Sequence, residues 1–202
     1  VSPNVVKVGD RVMIYHYTGC GACNSCRAGW EQMCQETPIH VYRNNDHGAH
    51  AQYIKVTALA CLRLPDELSF AAGAAISCGT GTAYSALRRL SASGNDTIAI
   101  FGQIAKAMGA RVIALDVSAS RLETAKKFGA DVVIDPSAVD PVMAIKEVTR
   151  GAGSDMALDS SGSPAARIAA IRGVRGWGKV CLVGEGGELK IDVSPDMLRK
   201  QA

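Results

Sequence analysis

The sequence predicts an α/β protein built on a doubly wound parallel sheet, preceded by a β-rich part that carries a metal lobe. From Asn95 onward, short β-branched apolar runs alternate with charged segments of helical period, which is the pattern of βα units laid on a parallel sheet. Before that point the chain reads as short strands separated by Gly, Asn and Pro turn signals. Within this first part, four cysteines crowd into positions 20 to 34.

In the α/β part the strand candidates are Thr97–Phe101, Arg111–Leu115, Asp131–Ile134, Met156–Leu158 and Lys179–Val183, with helices expected at Ala119–Phe128, Pro141–Thr149 and Pro164–Arg172. The strands are apolar on both faces, as a sheet covered by helices on both sides requires. In the first part, Arg11–His16, Ala51–Val56 and Cys61–Leu64 read as strands. Pro65–Ser69 then reads as a helix entry, followed by apolar segments from Phe70 to Ile76 and Thr82 to Leu90.

With 202 residues and a hydrophobic fraction of 48%, the chain can build one sizeable core or two modest ones. Formal charge is +3, with Lys and Arg scattered rather than in runs, so no nucleic-acid partner is expected. No apolar stretch approaches the ~20 residues that span a bilayer. Val1 to Asp10 lack the basic start and apolar run of a signal peptide. The expectation is a soluble, cytoplasmic protein without a membrane partner.

Cys20, Cys23 and Cys26 are separated by small or flexible residues, and Cys34 follows after seven more. That spacing lets three thiolates converge and a fourth close a tetrahedron, a structural rather than catalytic zinc site. Buried or disulfide-bonded cysteines and an iron–sulfur cluster are the alternatives. In bacterial iron–sulfur runs the next cysteine follows after about three residues and carries a proline, whereas here Gln35 follows Cys34.

The run Gly9-Asp10-Arg11-Val12 leading to Gly19 through Cys26 and on to Cys34 resembles the structural zinc lobe of medium-chain zinc alcohol dehydrogenases. The likeness continues through Gly48-Ala49-His50-Ala51-Gln52-Tyr53 and Cys78-Gly79-Thr80-Gly81-Thr82-Ala83-Tyr84 into the α/β part. It implies that residues 1–79 are a partial, GroES-like catalytic domain with the zinc lobe at 17–40, and that residues 80–202 are a Rossmann-type NAD-binding domain. It also implies a structural zinc on Cys20, Cys23, Cys26 and Cys34, and a role for Cys78 as one ligand of a catalytic zinc, which polarises the alcohol oxygen. Without the resemblance, Cys78 reads as an inert cysteine beside a glycine-rich turn. The family's other catalytic ligands, an earlier cysteine and a Gly-His-Glu histidine, have no counterpart here. The chain is therefore expected to begin inside the family's catalytic domain, to stop before its return, and to be incomplete for activity. His16, His40, His47 and His50 receive no role.

Asp116 follows the second strand of the α/β part, where a carboxylate can accept hydrogen bonds from a ribose and repel the extra phosphate of NADP. Position alone would equally suit a helix N-cap. The resemblance implies the NAD role, places Arg121 near the same ribose, and sets Thr82, Ser160, Ser161, Val183 and Gly184 near the nicotinamide. Gly102 is the surviving first glycine of the phosphate turn. Only nine residues lie between Phe101 and Arg111, fewer than the dozen or so a parallel crossover needs. A break is expected between Gln103 and Ile104.

The function so implied is a zinc-dependent oxidoreductase interconverting an alcohol and a carbonyl with NAD. Small alcohols, polyols and amino-alcohols are compatible substrates, and the assembly implied is a homodimer or homotetramer. The alternative is a non-catalytic zinc- and dinucleotide-binding remnant, or an interaction module of the same family.

Overall fold

Residues 6–38, 40–42, 48–101 and 106–201 are described in the computed structural model, and the chain divides into two units, Val1–Gly81 and Thr82–Ala202. The first unit contains β1 (Val12–Ile14), β2 (Tyr17–Thr18), α1 (Asn24–Arg27), β3 (His40–Val41), β4 (Cys61–Arg63) and α2 (Phe70–Ala75). β1 pairs antiparallel with β4, and β2 with β3. Arg11 secures the entry to α2: its guanidinium donates to the carbonyls of Pro65, Asp66 and Leu68 and lies 4.7 Å over the Phe70 ring. Ser69 caps the helix by accepting the Ala72 amide at 3.1 Å, as an N-cap serine does. α2 opens at its C-terminal end into a wide π turn, Ile76–Thr80, which holds Cys78.

One expected strand of this unit is absent. Ala51–Val56 forms no ladder among the described residues. Burial alternates along it, with Tyr53 and Lys55 exposed and Ile54 and Val56 half-buried. The end of the segment is held by a side chain instead, since the buried Tyr42 hydroxyl accepts the Thr57 amide at 2.8 Å.

The second unit carries α3 (Gly81–Leu90, its first residue lying at the unit boundary), β5 (Thr97–Phe101), β6 (Arg111–Leu115), α4 (Ala119–Lys127), β7 (Val132–Ile134), α5 (Pro141–Val148), β8 (Ser154–Asp159), α6 (Pro164–Gly173) and β9 (Val174–Leu182). The five strands form one wholly parallel sheet in the order β7, β6, β5, β8, β9. The strand order reverses between β5 and β8, the switch point beside which α/β sheets bind their ligands.

Alternation along the strands splits the core in two. Ile98, Ile100, Val112, Met156 and Leu158 pack with Ala86, Leu87 and Leu90 of α3 on one face. Ala99, Ile113, Leu115 and Ala157 pack with Ile145 of α5 and Ala169 and Ala170 of α6 on the other. The sheet is thus covered on both sides, as the apolar runs predict.

The last strand begins at Val174 rather than Lys179 and ends before Val183. The added stretch contains Gly176 and Gly178, and an irregularity in the register with β8 takes it up. Trp177 there adopts a left-handed φ of 60° and is 72% exposed. β5 and β6 pair in parallel with Thr97 level with Arg111, although so few residues connect them. Of that connection, a 3₁₀ turn at Lys106–Met108 is described. Gly102, Gln103 and Ile104, and with them the expected break, lie outside the described residues.

Candidate functional site

The four lobe cysteines come together as their spacing predicts. Cys23 precedes the four-residue α1 and Cys26 lies within it, so one helical turn brings these two sulfurs to the same side. The chain then closes through a Trp30 amide bond to the Ser25 carbonyl and a 3₁₀ turn, Glu31–Met33, that delivers Cys34. The four sulfurs lie within 4.8 Å of one another, with Cys20 and Cys26 3.9 Å apart. Tetrahedral zinc–sulfur bonds of about 2.3 Å place sulfurs about 3.8 Å apart, whereas a disulfide would need about 2.05 Å. All seven cysteines are free.

Backbone donors are aimed at these sulfurs. Cys20 Sγ accepts from the amides of Ala22 and Cys23 at 3.3 and 3.2 Å. Cys34 Sγ accepts from the Cys20 amide at 3.4 Å and lies 3.2 Å from the Thr37 hydroxyl. Hydrogen bonding by Thr37, then by the Cys20 amide, pulls the Cys34 thiol down to about 5. Amide donors at Gln35 and Cys26 lower Cys23, while burial pushes Cys26 up to about 12. A cation binds such sulfurs as thiolates, so metal binding releases the protons they carry. Gly19 makes the approach possible, because a Cβ there would stand 2.6 Å from Cys26 Sγ. The donor set and its geometry fit a structural zinc.

The second constellation lies at the carboxyl edge of the parallel sheet. Asp116 directly follows β6, accepts the Ser118 amide at 2.9 Å and pairs with Arg121 at 3.4 Å. The two residues expected at the ribose are therefore in contact. Ser118, rather than Asp116, occupies the N-cap of α4, so the carboxylate is not consumed as that cap. On the other side of β5, Ser160 and Ser161 follow β8, while Val183 and Gly184 follow β9, with the amides of Val183 and Gly184 donating to the Asp159 carbonyl at 2.7 and 3.1 Å. Thr82 is exposed as the second residue of α3.

Asp159 and Arg167 carry no expectation from the sequence, yet they organise this edge. Asp159 is fully buried; its carboxylate accepts the Ser161 amide and hydroxyl at 3.0 and 2.6 Å and the Gly162 amide at 3.3 Å. Arg167 of α6 pairs with it at 3.6 Å. The available signal was an acidic residue ending an apolar strand just before a Ser-Ser-Gly turn, with an arginine in the first turns of an alanine-rich helix.

Cys78 is exposed. Among the described residues, the one group of three or more metal-ligating side chains is the lobe, so Cys78 has no such company and the described residues do not make a second zinc site. A cleft of about 1220 Å³ in the first unit is lined by Thr18, His40, Tyr42, His50 and Lys55 among others, and by none of the expected site residues. No described helix is long and apolar enough to cross a membrane.

A cluster of four cysteine sulfurs followed by a parallel Rossmann-like sheet fits an α/β protein with a structural zinc site. Comparison with known proteins narrows the class. Residues 1–66 match the alcohol dehydrogenase GroES-like domain and residues 99–202 match the zinc-binding dehydrogenase family. An uncharacterised zinc-type alcohol dehydrogenase-like protein of Escherichia coli, YphC, is 37% identical over 96% of this chain and 58% of its own length. An NAD-dependent alcohol dehydrogenase of Sulfurisphaera tokodaii is 37% identical over 77% of this chain and 47% of its own. The crystal structure of the Aeropyrum pernix alcohol dehydrogenase superposes with a TM-score of 0.86 at 28% identity, covering 100% of this chain and 62% of that one. The chain belongs to the zinc-type, medium-chain alcohol-dehydrogenase-like family, and it spans about half to three fifths of the length of these relatives. The YphC alignment runs over 209 residues while taking in 96% of a 202-residue chain, so that relative has residues for which this chain has no counterpart.

Proposed function

We propose that this protein is an oxidoreductase that passes hydride between an alcohol, polyol or amino-alcohol and NAD, with a structural zinc on Cys20, Cys23, Cys26 and Cys34. When bound, NAD supplies the hydride acceptor. The observation that carries the reading is Asp116, a carboxylate left free of helix capping at the end of β6, beside the point where the strand order reverses. There it can accept the hydroxyls of an adenosine ribose and oppose a 2′-phosphate. Arg121, already paired with Asp116, is less available to draw such a phosphate in. The loops after β8 and β9, with Ser160, Ser161, Val183 and Gly184, would hold the other half of the dinucleotide, and Thr82 would approach it from α3. Gly102 would line the pyrophosphate turn. Cys78 would serve as one ligand of a catalytic zinc in the complete enzyme, the functional boundary then falling at residues 79 and 80. A homodimer or homotetramer is the assembly that accords with the family.

The test is a titration of NADH and NADPH against the full-length protein, followed by nicotinamide fluorescence. NADH should bind more tightly by about tenfold or more, a difference of about 1.4 kcal/mol. Asp116→Ala should erode that ratio. Equal affinity of the unsubstituted protein for both cofactors would contradict the assignment. The solitary position of Cys78 among the described residues favours a second reading, a binding remnant without turnover. Tight NADH binding by a zinc-loaded protein that reduces no carbonyl substrate would decide for it.

A further inference from the structure

Arg167 is placed in a way that ion pairing alone does not explain. Its Nε stands 3.6 Å from Asp159 Oδ2 and has no hydrogen-bond partner, so the pair itself is poorly formed. The far ends of the guanidinium are well used instead: Nη1 donates to the Gly187 carbonyl at 3.1 Å and Nη2 to the Gly184 carbonyl at 2.6 Å. Asp159 meanwhile binds the amides of Ser161 and Gly162 through its side chain, and those of Val183 and Gly184 through its carbonyl. One buried pair therefore fixes the backbone of both loops at the carboxyl ends of β8 and β9. The two loops also touch through glycine backbones, since a Cβ at Gly162 would overlap the Glu185 carbonyl and one at Gly184 would overlap the Gly162 amide.

Stability does not account for charges in such a place. A buried ion pair can often be replaced by apolar side chains of similar volume without loss, and α6 is otherwise alanine-rich. What an apolar pair could not do is hold two loop carbonyls with a rigid, planar fork. Dinucleotides lie across the crevice at the reversal of strand order, one half on each side. Asp116 stands beyond β5 on the β6 side and the braced loops stand on the β8 and β9 side.

Resting on the dinucleotide reading above, we propose that Arg167, tethered through Asp159, is a positioning residue that shapes the loops after β8 and β9 for the nicotinamide-bearing half of the cofactor. It touches the loops and not the cofactor. The adenosine half, held at β6, is independent of it.

The experiment compares NADH with ADP-ribose, which lacks the nicotinamide, by titration of the full-length protein and of Arg167→Met, Arg167→Lys and the double variant Asp159→Asn/Arg167→Met. The double variant leaves no buried charge without its partner. In Arg167→Met and in the double variant, NADH should weaken about tenfold or more, the scale of one or two lost hydrogen-bonded positions, while ADP-ribose changes by less than about twofold. Arg167→Lys keeps the charge but not the fork, and should recover only part of the loss. Parallel weakening of both ligands would show a merely structural role and overturn the proposal, as would unchanged NADH binding or failure of the double variant to fold. Should the unsubstituted protein bind neither ligand, the dinucleotide reading itself falls, whereas binding of ADP-ribose with normal NADH affinity in the variants removes the brace alone.

Discussion

At Gly19 a single methyl decides whether four sulfurs can meet. A Cβ there would stand 2.6 Å from Cys26 Sγ and 3.1 Å from Cys34 Cβ, well inside contact distance, so one wall of the tetrahedron would have to move. Gly19→Ala should therefore surrender zinc to a chromophoric chelator at lower chelator concentration than the unsubstituted protein; identical retention would contradict this role. The lobe was legible in the sequence because its ligands are close along the chain, where spacing alone nearly fixes the geometry. Asp159 and Arg167 were not, because neither residue type is informative until β8 and α6 bring them together. Asp116 falls between these cases: its place after a strand could be read, but whether it capped the next helix could not.

Among the helices, α5 shows how much one terminal residue can contribute. Asp140 Oδ1 accepts the amides of Val142 and Met143 at 2.8 and 3.0 Å, with Pro141 in the first turn. Ser118 occupies the same position before α4 with no side-chain cap bond. Asp140→Ala should therefore cost about 1 kcal/mol of stability and Ser118→Ala only a few tenths, measured by denaturant unfolding with an unchanged slope. Equal losses would show that the cap bond is not the cause. The helices α4 to α6 and four of the five parallel strands could be read from their periods, since both faces of the sheet are buried and the runs are apolar throughout. The misreadings lie where period is not the controlling force. Ala51–Val56 alternates but is tied by the Tyr42 hydroxyl instead of a ladder, and the start of β9 hides behind glycines that a register irregularity absorbs.

Over the second unit as a whole, carboxylates set the response to acid. Asp131 is held below the usual carboxylate range chiefly by the Lys106 ammonium, and Asp196 by the Arg172 guanidinium. Burial pushes Asp155 upward, but Arg175 and the Thr97 amide outweigh it and the net shift is downward. Each group binds protons more readily in the unfolded chain, so its contribution is complete above the ordinary value near pH 4 and is lost as pH falls through the folded value. The midpoint of thermal unfolding should be nearly flat above about pH 5 and fall below about pH 4. Asp155→Asn should lower it at neutral pH and flatten part of the acid slope. A midpoint as high at about pH 3 as at about pH 6 would rule out this linkage.

The two tryptophans of the chain are divided between the units, Trp30 in the turn that closes the cysteine lobe and Trp177 on the exposed irregular stretch of β9. Each unit therefore contains its own intrinsic fluorophore in a different setting. Trp177, in contact with water, should emit at the red end of the indole range and respond little to metal. With Trp177→Phe the remaining emission comes from a residue a few positions from Cys26 and Cys34, so stripping and restoring the metal can be followed optically in the lobe alone. The complementary Trp30→Phe protein would report on the sheet, and the two melting curves together would tell whether the halves of this chain come apart as one body or in sequence.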